Sequence, residues 1–279
     1  MAVGCGRDAP PEPTGPLLQR TAVRGPVDLA VIGDFGTGEE AQREVAEALR
    51  TWADGRPLDA LVTTGDNIYD SGHPDEFDQA WHQPYGWVDR EGIPVLASLG
   101  NHDAETGGGA PVMELLSMPG PWYAHRLGPV ELFVLDGNHL EDPAQLSFVG
   151  SALRRSAAPW KVAVVHHPPY TCGHHDGHGE IRERWLPVFR AGGVDLVLSG
   201  HDHNYQRFPR LGDVVFVVSG GGGQDLDDVD ECPAGTPDPV FALDDRHHFV
   251  TVRATRETLR LRAVAVPGSE VVDEVILRR

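Results

Sequence analysis

Five short apolar runs in this chain each lead into a side chain that can bind a metal ion. Leu29–Ile32 passes through Gly33 to Asp34, Ala60–Thr64 through Gly65 to Asp66, and Val95–Leu99 through Gly100 to Asn101 and His102. Val162–Val165 runs straight into His166, and Leu196–Ser199 passes through Gly200 to His201 and His203. Runs of this length, rich in Val, Leu and Ile and stopped by Gly or a polar residue, read as strands covered on both faces. In open α/β sheets, ligands bind beyond the carboxyl ends of the strands. The glycines let the backbone turn sharply there. Residues far apart in sequence are therefore expected on one edge of a sheet.

Leu132–Leu135 and Val214–Ser219 read as further strands, and helical patterns lie between several of the runs. Ala41, Val45, Leu49 and Trp52 fall on one face of a helix over 39–53. Leu146, Val149 and Leu153 do the same in a helix that Pro143 opens. Ile181, Trp185, Val188 and Phe189 form a third stripe, ending at Gly192-Gly193. Alternating strands and helices predict a layered α/β fold. From Phe249 on, three strand-like runs separated by turn residues read as hairpins. No repeat and no second linker interrupts residues 27–279, which read as one domain.

Charge restricts the partners. With 23 basic against 42 acidic residues the chain carries a net charge of −19, which argues against nucleic acid as a bulk partner. A chain this acidic needs a local source of positive charge to bind any phosphate, and metal ions are one such source. No apolar stretch is long enough to span a membrane. Ala2-Val3-Gly4-Cys5 resembles the cleavage site of a bacterial lipoprotein, and the Pro- and Gly-rich segment up to Pro26 reads as a disordered tether. On that reading Cys5 is a lipid anchor, the domain is extracytoplasmic, and Cys172 and Cys232 are able to pair. The alternative is three unrelated thiols. Gly220–Gly223 lacks the Lys-Ser/Thr of a P-loop, Asp225–Glu231 reads as a solvated acidic loop, and His247-His248 read as structural.

The strand-end set holds two Asp, one Asn, three His and, close by, Tyr69. Hard oxygen donors mixed with imidazoles suit Fe, Mn or Zn. The set is too large for one tetrahedral ion and suits two metals roughly 3.5–4 Å apart sharing a carboxylate.

The five blocks, Gly33-Asp34-Phe35-Gly36, Gly65-Asp66-Asn67-Ile68-Tyr69, Gly100-Asn101-His102-Asp103, His166-His167-Pro168-Pro169-Tyr170 and Gly200-His201-Asp202-His203-Asn204-Tyr205-Gln206-Arg207, resemble those of the calcineurin-like metallophosphoesterases. The resemblance is strongest to the purple acid phosphatases. Most metallophosphoesterases read Asp-x-His in the first block, whereas this chain has Gly36 there and Tyr69 three residues after Asp66, the purple acid phosphatase pattern.

The resemblance implies an α/β/β/α sandwich with a ferric site of Asp34, Asp66, Tyr69 and His203 and a divalent site (Fe, Zn or Mn) of Asp66, Asn101, His166 and His201. It picks His166 over His167 as ligand, gives His102 a role in phosphate contact and leaving-group departure, and points to His174 and His175 as substrate contacts or general acid. Asp103 and Asp202 would orient neighbouring histidines. The implied reaction is hydrolysis of small phosphate monoesters by attack of a metal-bound hydroxide. Two other readings share these residues: a phosphodiesterase of the wider family, and a phosphate-binding protein that has lost catalysis. Natural substrate and oligomeric state are not legible, and the length leaves no room for the N-terminal β-sandwich of large plant members.

Overall fold

Alternate residues of the central strands enter two different cores, which is why their sequences are apolar without interruption. In the computed structural model, which describes residues 18–23, 25–175 and 179–279, the chain order is β1 (Leu18–Thr21), β2 (Val27–Ile32), α1 (Glu40–Ala53), β3 (Ala60–Thr63), α2 (Gln83–Glu91), β4 (Val95–Ala97), α3 (Asn101–Glu105), α4 (Ala110–Leu115), β5 (Tyr123–Leu127), β6 (Val130–Val134), α5 (Pro143–Arg155), β7 (Trp160–Val164), α6 (Gly179–Arg184), α7 (Leu186–Gly192), β8 (Leu196–Ser199), β9 (Tyr205–Arg207), β10 (Val215–Ser219), β11 (Phe241–Leu243), β12 (His247–Ala254), β13 (Thr258–Val266) and β14 (Glu270–Arg278). Eight strands form one sheet, ordered β1-β5-β6-β7-β8-β10-β9-β11, and six form the other, ordered β14-β13-β12-β2-β3-β4.

Val27, Leu29 and Val31 of β2 point between the sheets, where they meet Val130, Leu132 and Val134 of β6 and Leu259 and Leu261 of β13. Ala30 and Ile32 point the other way, toward Val45 and Leu49 of α1 and Val88 of α2. On the far side, Phe133 and Val197 pack under Phe148 and Leu153 of α5 and Phe189 of α7. The result is the expected α/β/β/α sandwich. Burying each of the Val, Leu, Ile and Phe side chains among them contributes about 1.5–3 kcal/mol.

Of the three C-terminal strands, β12 adds antiparallel to β2 with Val250 facing Val31, and β13 and β14 follow in turn, each antiparallel to the strand before it, with Val264 facing Phe249. Asp142 caps α5 by accepting the Ala144 and Gln145 N–H groups, with Pro143 at the first turn as its spacing predicts. Two expectations are corrected, and two strands went unread. The folded part does not begin at Val27, because Leu18–Thr21 lies parallel to β5 in register Leu18 to Ala124. That strand is short and half-polar, so it has no apolar run to announce it. The third helical stripe is two helices that meet at Trp185, the second with Pro187 in its first turn. β9 and β11 are three-residue strands, too short for a period to register. Cys5 lies outside the described residues, and among the described residues no helix is long and apolar enough to cross a membrane.

Candidate metal centre

The parallel strands β2, β3, β4, β7 and β8 all point their carboxyl ends the same way, and the polar residues that follow them meet there. His166 lies at the middle. Its Nδ1 donates to the Thr64 carbonyl at 2.9 Å, so its Nε2 is the atom turned inward. Nε2 lies 3.0 Å from Asn101 Oδ1, 3.2 Å from His201 Nδ1 and 3.3 Å from Asp66 Oδ2. His203 shows the same logic on the other side. Its Nδ1 donates to the Asp225 carbonyl at 2.9 Å, and its Nε2 faces the Tyr69 hydroxyl at 3.3 Å and Asp34 Oδ1 at 3.8 Å. Tyr69 in turn donates to Asp66 Oδ2 at 3.1 Å. All seven residues expected as ligands are thus drawn together, and Asp66 stands between the Asn101/His166/His201 side and the Tyr69/His203 side.

The backbone is bent to achieve this. Asp34 (φ 56°), Asp66 (φ 49°) and His201 (φ 76°) occupy the left-handed region, which L-residues seldom adopt. Each costs of order 1–3 kcal/mol and persists where the surroundings over-determine it. Asp34 accepts the His201 N–H with both carboxylate oxygens, at 3.0 and 3.1 Å, and Asp66 accepts the His102 N–H at 2.9 Å. Gly36 takes the place of the histidine that the Asp-x-His pattern would put in the first block. A Cβ there would collide with the Asn67 carbonyl oxygen, so no larger residue fits without moving the loop that carries Tyr69.

The electrostatics call for a cation. Asp34 and Asp66 are buried, and no arginine or lysine bonds to either among the described residues. Burial drives Asp34 well above the usual carboxylate range, against the opposing charge of His166. Burial also penalises charge on Asp66, but His166 outweighs it and holds that carboxyl low. Burial alone would depress His166, yet Asp66 and Asp34 push it far above the ordinary histidine range. The space among Asp66, Asn101 and His166, bordered by a carboxylate oxygen, a carboxamide oxygen and an inward ring nitrogen, suits a positive charge, a proton on Nε2 or a metal ion. Burial lowers His203, which leaves its imidazole neutral and able to ligate. The Tyr69 phenol is pushed strongly upward by burial and by Asp34 and Asp66, so a phenolate there requires a highly charged cation beside it. These donors fit a metal pair. Ligand atoms of Asp34, Asp66 and His166 lie within 4.8 Å of one another, as do those of His166, His167 and His201.

His102 borders the centre, with its Nδ1 donating to the Asp70 carbonyl at 2.6 Å and its ring 4.5 Å from that of Tyr69. His175 stacks on His201 with ring centroids 4.0 Å apart, and its Nδ1 meets Asp202 Oδ1 at 3.2 Å. His174 is exposed, and its ring lies 5.2 Å from that of His175. His167 is closer to the centre than a purely supporting role suggests, with its ring 4.7 Å from His201.

Two roles differ from expectation. Asp202 does orient a histidine, but among the described residues Asp103 bonds to none; it accepts the N–H groups of Asn67, Ile68 and Gly100 at 2.9, 3.1 and 2.8 Å and so ties the loop after β3 to the loop after β4. The acidic segment is not merely solvated, because Asp227 accepts the His203 N–H at 3.3 Å and Asp230 donates its N–H to Cys172. Cys172 and Cys232 form a disulfide that fastens this segment to the His174-His175 loop.

The comparisons with known proteins agree with this geometry. Residues 27–205 match the calcineurin-like phosphoesterase family. Purple acid phosphatase 17 of Arabidopsis thaliana is 31% identical over 72% of this chain and 69% of its own length. Purple acid phosphatase 3 of the same plant is 28% identical over 88% and 76%. Among solved structures, a purple acid phosphatase from yellow lupin (Lupinus luteus) seeds superposes with a TM-score of 0.76 at 18% identity, over 91% of this chain and 54% of the lupin chain. GAP50, the anchor in the inner membrane complex of Plasmodium, does so with 0.77 at 18% identity, over 91% and 89%. The chain belongs to the calcineurin-like phosphoesterase family, in the company of its purple acid phosphatases.

Proposed function

We propose that this phosphoesterase is a two-metal phosphomonoesterase of the purple acid phosphatase kind. The observation that carries this reading is the position of Asp66, in contact with Tyr69 on one side and His166 on the other. Asp34, Asp66, Tyr69 and His203 would hold a ferric ion, and Asp66, Asn101, His166 and His201 a divalent ion of Fe, Zn or Mn. Bound there, such a pair neutralises phosphoryl charge and acidifies water for attack on phosphorus.

The protein's own groups supply the rest. With Nδ1 committed to the Asp70 carbonyl, His102 keeps Nε2 for a substrate oxygen and for the proton that the departing alkoxide needs. Asp202 steadies His175 on the opposite flank through its backbone N–H at 2.9 Å and its Nδ1. The disulfide supports an oxidising, extracytoplasmic location. A small, single catalytic domain behind an N-terminal tether is part of the same proposal.

GAP50 has this fold and is an anchor, so the fold alone does not imply turnover. The complete donor set together with His102 favours catalysis over a purely binding role here. The test is elemental analysis and a visible absorption spectrum of protein purified without chelator. Two ions per chain and a broad visible band that vanishes in Tyr69→Phe would support the ferric–tyrosinate reading. A colourless protein with two Zn or Mn ions would keep the phosphoesterase and remove Tyr69 from the ligand set.

A further inference from the structure

Asp202, in the loop after β8, is wholly buried, and both oxygens of its carboxylate are taken up by the loop after β7. Oδ1 accepts the His175 N–H at 2.9 Å and lies 3.2 Å from His175 Nδ1. Oδ2 accepts the Thr171 hydroxyl at 2.5 Å. A carboxylate offers acceptors only, so the hydrogen of the Asp202–His175 bond sits on Nδ1. Nε2 is then the ring atom left to meet a substrate oxygen, and the ring lies over that of His201 with centroids 4.0 Å apart.

The Thr171 hydroxyl is aimed from behind. Its oxygen accepts the Gly173 N–H at 3.1 Å and the Gln206 side-chain amide at 3.0 Å. Neither of those donors can accept in return, so the one O–H hydrogen goes to Asp202. The Gln206 amide has a single orientation for the same reason. Its Oε1 must face the Cys172 N–H, at 2.8 Å, and Nε2 then spends its two hydrogens on Thr171 Oγ1 and on Asn204 Oδ1, the latter at 2.9 Å. Thr171, Asn204 and Gln206 are wholly buried, as Asp202 is. Buried polar groups that are all satisfied in this way rigidify what they touch.

His175 needs such support. Its side chain is 37% exposed, so packing alone does not fix the ring. Without the Thr171 hydroxyl, Asp202 Oδ2 loses its donor, and the carboxylate can turn about its own bond and carry the imidazole with it. Resting on the phosphomonoesterase reading above, in which His175 flanks the bound ester opposite His102, we infer that Thr171 and Gln206 are positioning residues for His175. They lock Asp202 in one orientation, and Asp202 presents the His175 imidazole to the ester through Nε2. Neither residue touches the substrate itself.

The test is a double-mutant cycle on the full chain loaded with its metals, read as kcat/KM for p-nitrophenyl phosphate. Thr171→Val should lower kcat/KM about tenfold while metal content stays at the parental level. In a His175→Ala background the same substitution should change kcat/KM by less than about twofold, because the ring through which Thr171 acts is already gone. Thr171→Ser, which keeps the hydroxyl, should recover the parental rate to within about twofold. Gln206→Met goes through the same cycle and takes over where Thr171→Val does not fold. A loss of the same size in both backgrounds, or no loss in either, overturns the proposal. So does loss of metal, which would make Thr171 a support for the ligand loops rather than for His175. Nitrogen NMR of the histidine rings in the parent loaded with diamagnetic zinc, with the His175 signals assigned by their absence from His175→Ala, should show a slowly exchanging proton on Nδ1. A ring without that protected proton overturns the proposal whether or not the variants fold. If the parent does not hydrolyse p-nitrophenyl phosphate, the phosphomonoesterase reading fails and takes this inference with it.

Discussion

His166 Nε2 lies 3.3 Å from Asp66 Oδ2 while the other ring nitrogen of His166 is committed to the Thr64 carbonyl. The pair is wholly buried, with a carboxamide and a second imidazole as its nearest other partners. Removing one partner of such a pair leaves the other charged and uncompensated, which typically costs several kcal/mol. His166→Ala is therefore expected to lose metal and turnover together, and to melt at lower temperature than the parent. Asn101→Ala, which removes a neutral donor, should lose metal with a smaller stability change. Elemental analysis and calorimetry on both variants check this. Retention of two ions in His166→Ala would take that residue out of the ligand set.

His102 is tied to the centre through its backbone, since its N–H donates to Asp66 Oδ1. His102→Ala keeps that bond and removes only the imidazole. The expected outcome is a loss in kcat of about a hundredfold with metal content unchanged. A variant with parental kcat would show that the imidazole neither binds the phosphate nor assists the leaving group.

Asp103 gathers three backbone N–H groups and the Asn67 side-chain amide, at 2.7 Å, while wholly buried. Burial, with the charge of Asp66, raises its carboxyl to about 7. Asp103→Ala strands those donors and should cost roughly 3 kcal/mol or more in urea unfolding. Because the two loops it joins carry Asp66 and Asn101, kcat should fall even in the surviving folded fraction. A variant with parental stability and activity would show that the two loops hold their places without it.

These cases mark how far the sequence could be read. The seven donors and the strands that present them were legible because each strand is buried on both faces and ends in a polar residue, a pattern that survives in a single sequence. The disulfide was one of two open readings of Cys172 and Cys232, because cysteine spacing does not report which loops meet. The role of Asp103 was missed for a different reason. Its neighbour in sequence is a histidine, but most of its partners, among them the Asn67 N–H 36 residues upstream, come from the loop after β3. The acidic segment was read from composition alone, which says that it is charged but not that Asp227 reaches His203. The left-handed backbone at Asp34, Asp66 and His201 falls on residue types that enter that region more readily than most, a preference too weak to read at a single position.

The Cys172–Cys232 bond closes a loop of 60 residues in sequence separation. Chain-entropy reasoning gives such a cross-link up to about 4 kcal/mol. Cys172→Ser/Cys232→Ser should lose about 2–4 kcal/mol of stability, and kcat should drop more than KM rises, because the bond joins the His175 loop to the segment holding His203. Equal stability of the reduced and oxidised protein would show that the loop is held by its hydrogen bonds alone.

His248 adds a pH dependence that is separate from the metal ligands. It is 1% exposed beneath the glycine-rich turn, with its Nε2 3.0 Å from Ser219 Oγ and its N–H donated to the Gly221 carbonyl at 2.9 Å. That turn also supports Asp34, since Gln224 donates its N–H to the Asp34 carbonyl. Burial, with the charge of His247, pulls the His248 imidazole down to about 3. In the unfolded chain the same ring takes a proton near the ordinary histidine value. Between those two values the unfolded state binds the extra proton, so stability is full above the ordinary value and is lost as pH falls. The slope is about 1.4 kcal/mol per pH unit at most. His248→Gln keeps a polar partner for Ser219 and removes the titration. Its loss of unfolding free energy between pH 6.5 and 4.5 should be smaller than the parent's by about 2 kcal/mol in urea titrations. Parallel pH profiles for the two proteins would mean that His248 accepts its proton without unfolding the turn. An enzyme working at acidic pH would then owe its acid limit to the metal centre rather than to the support beneath Asp34.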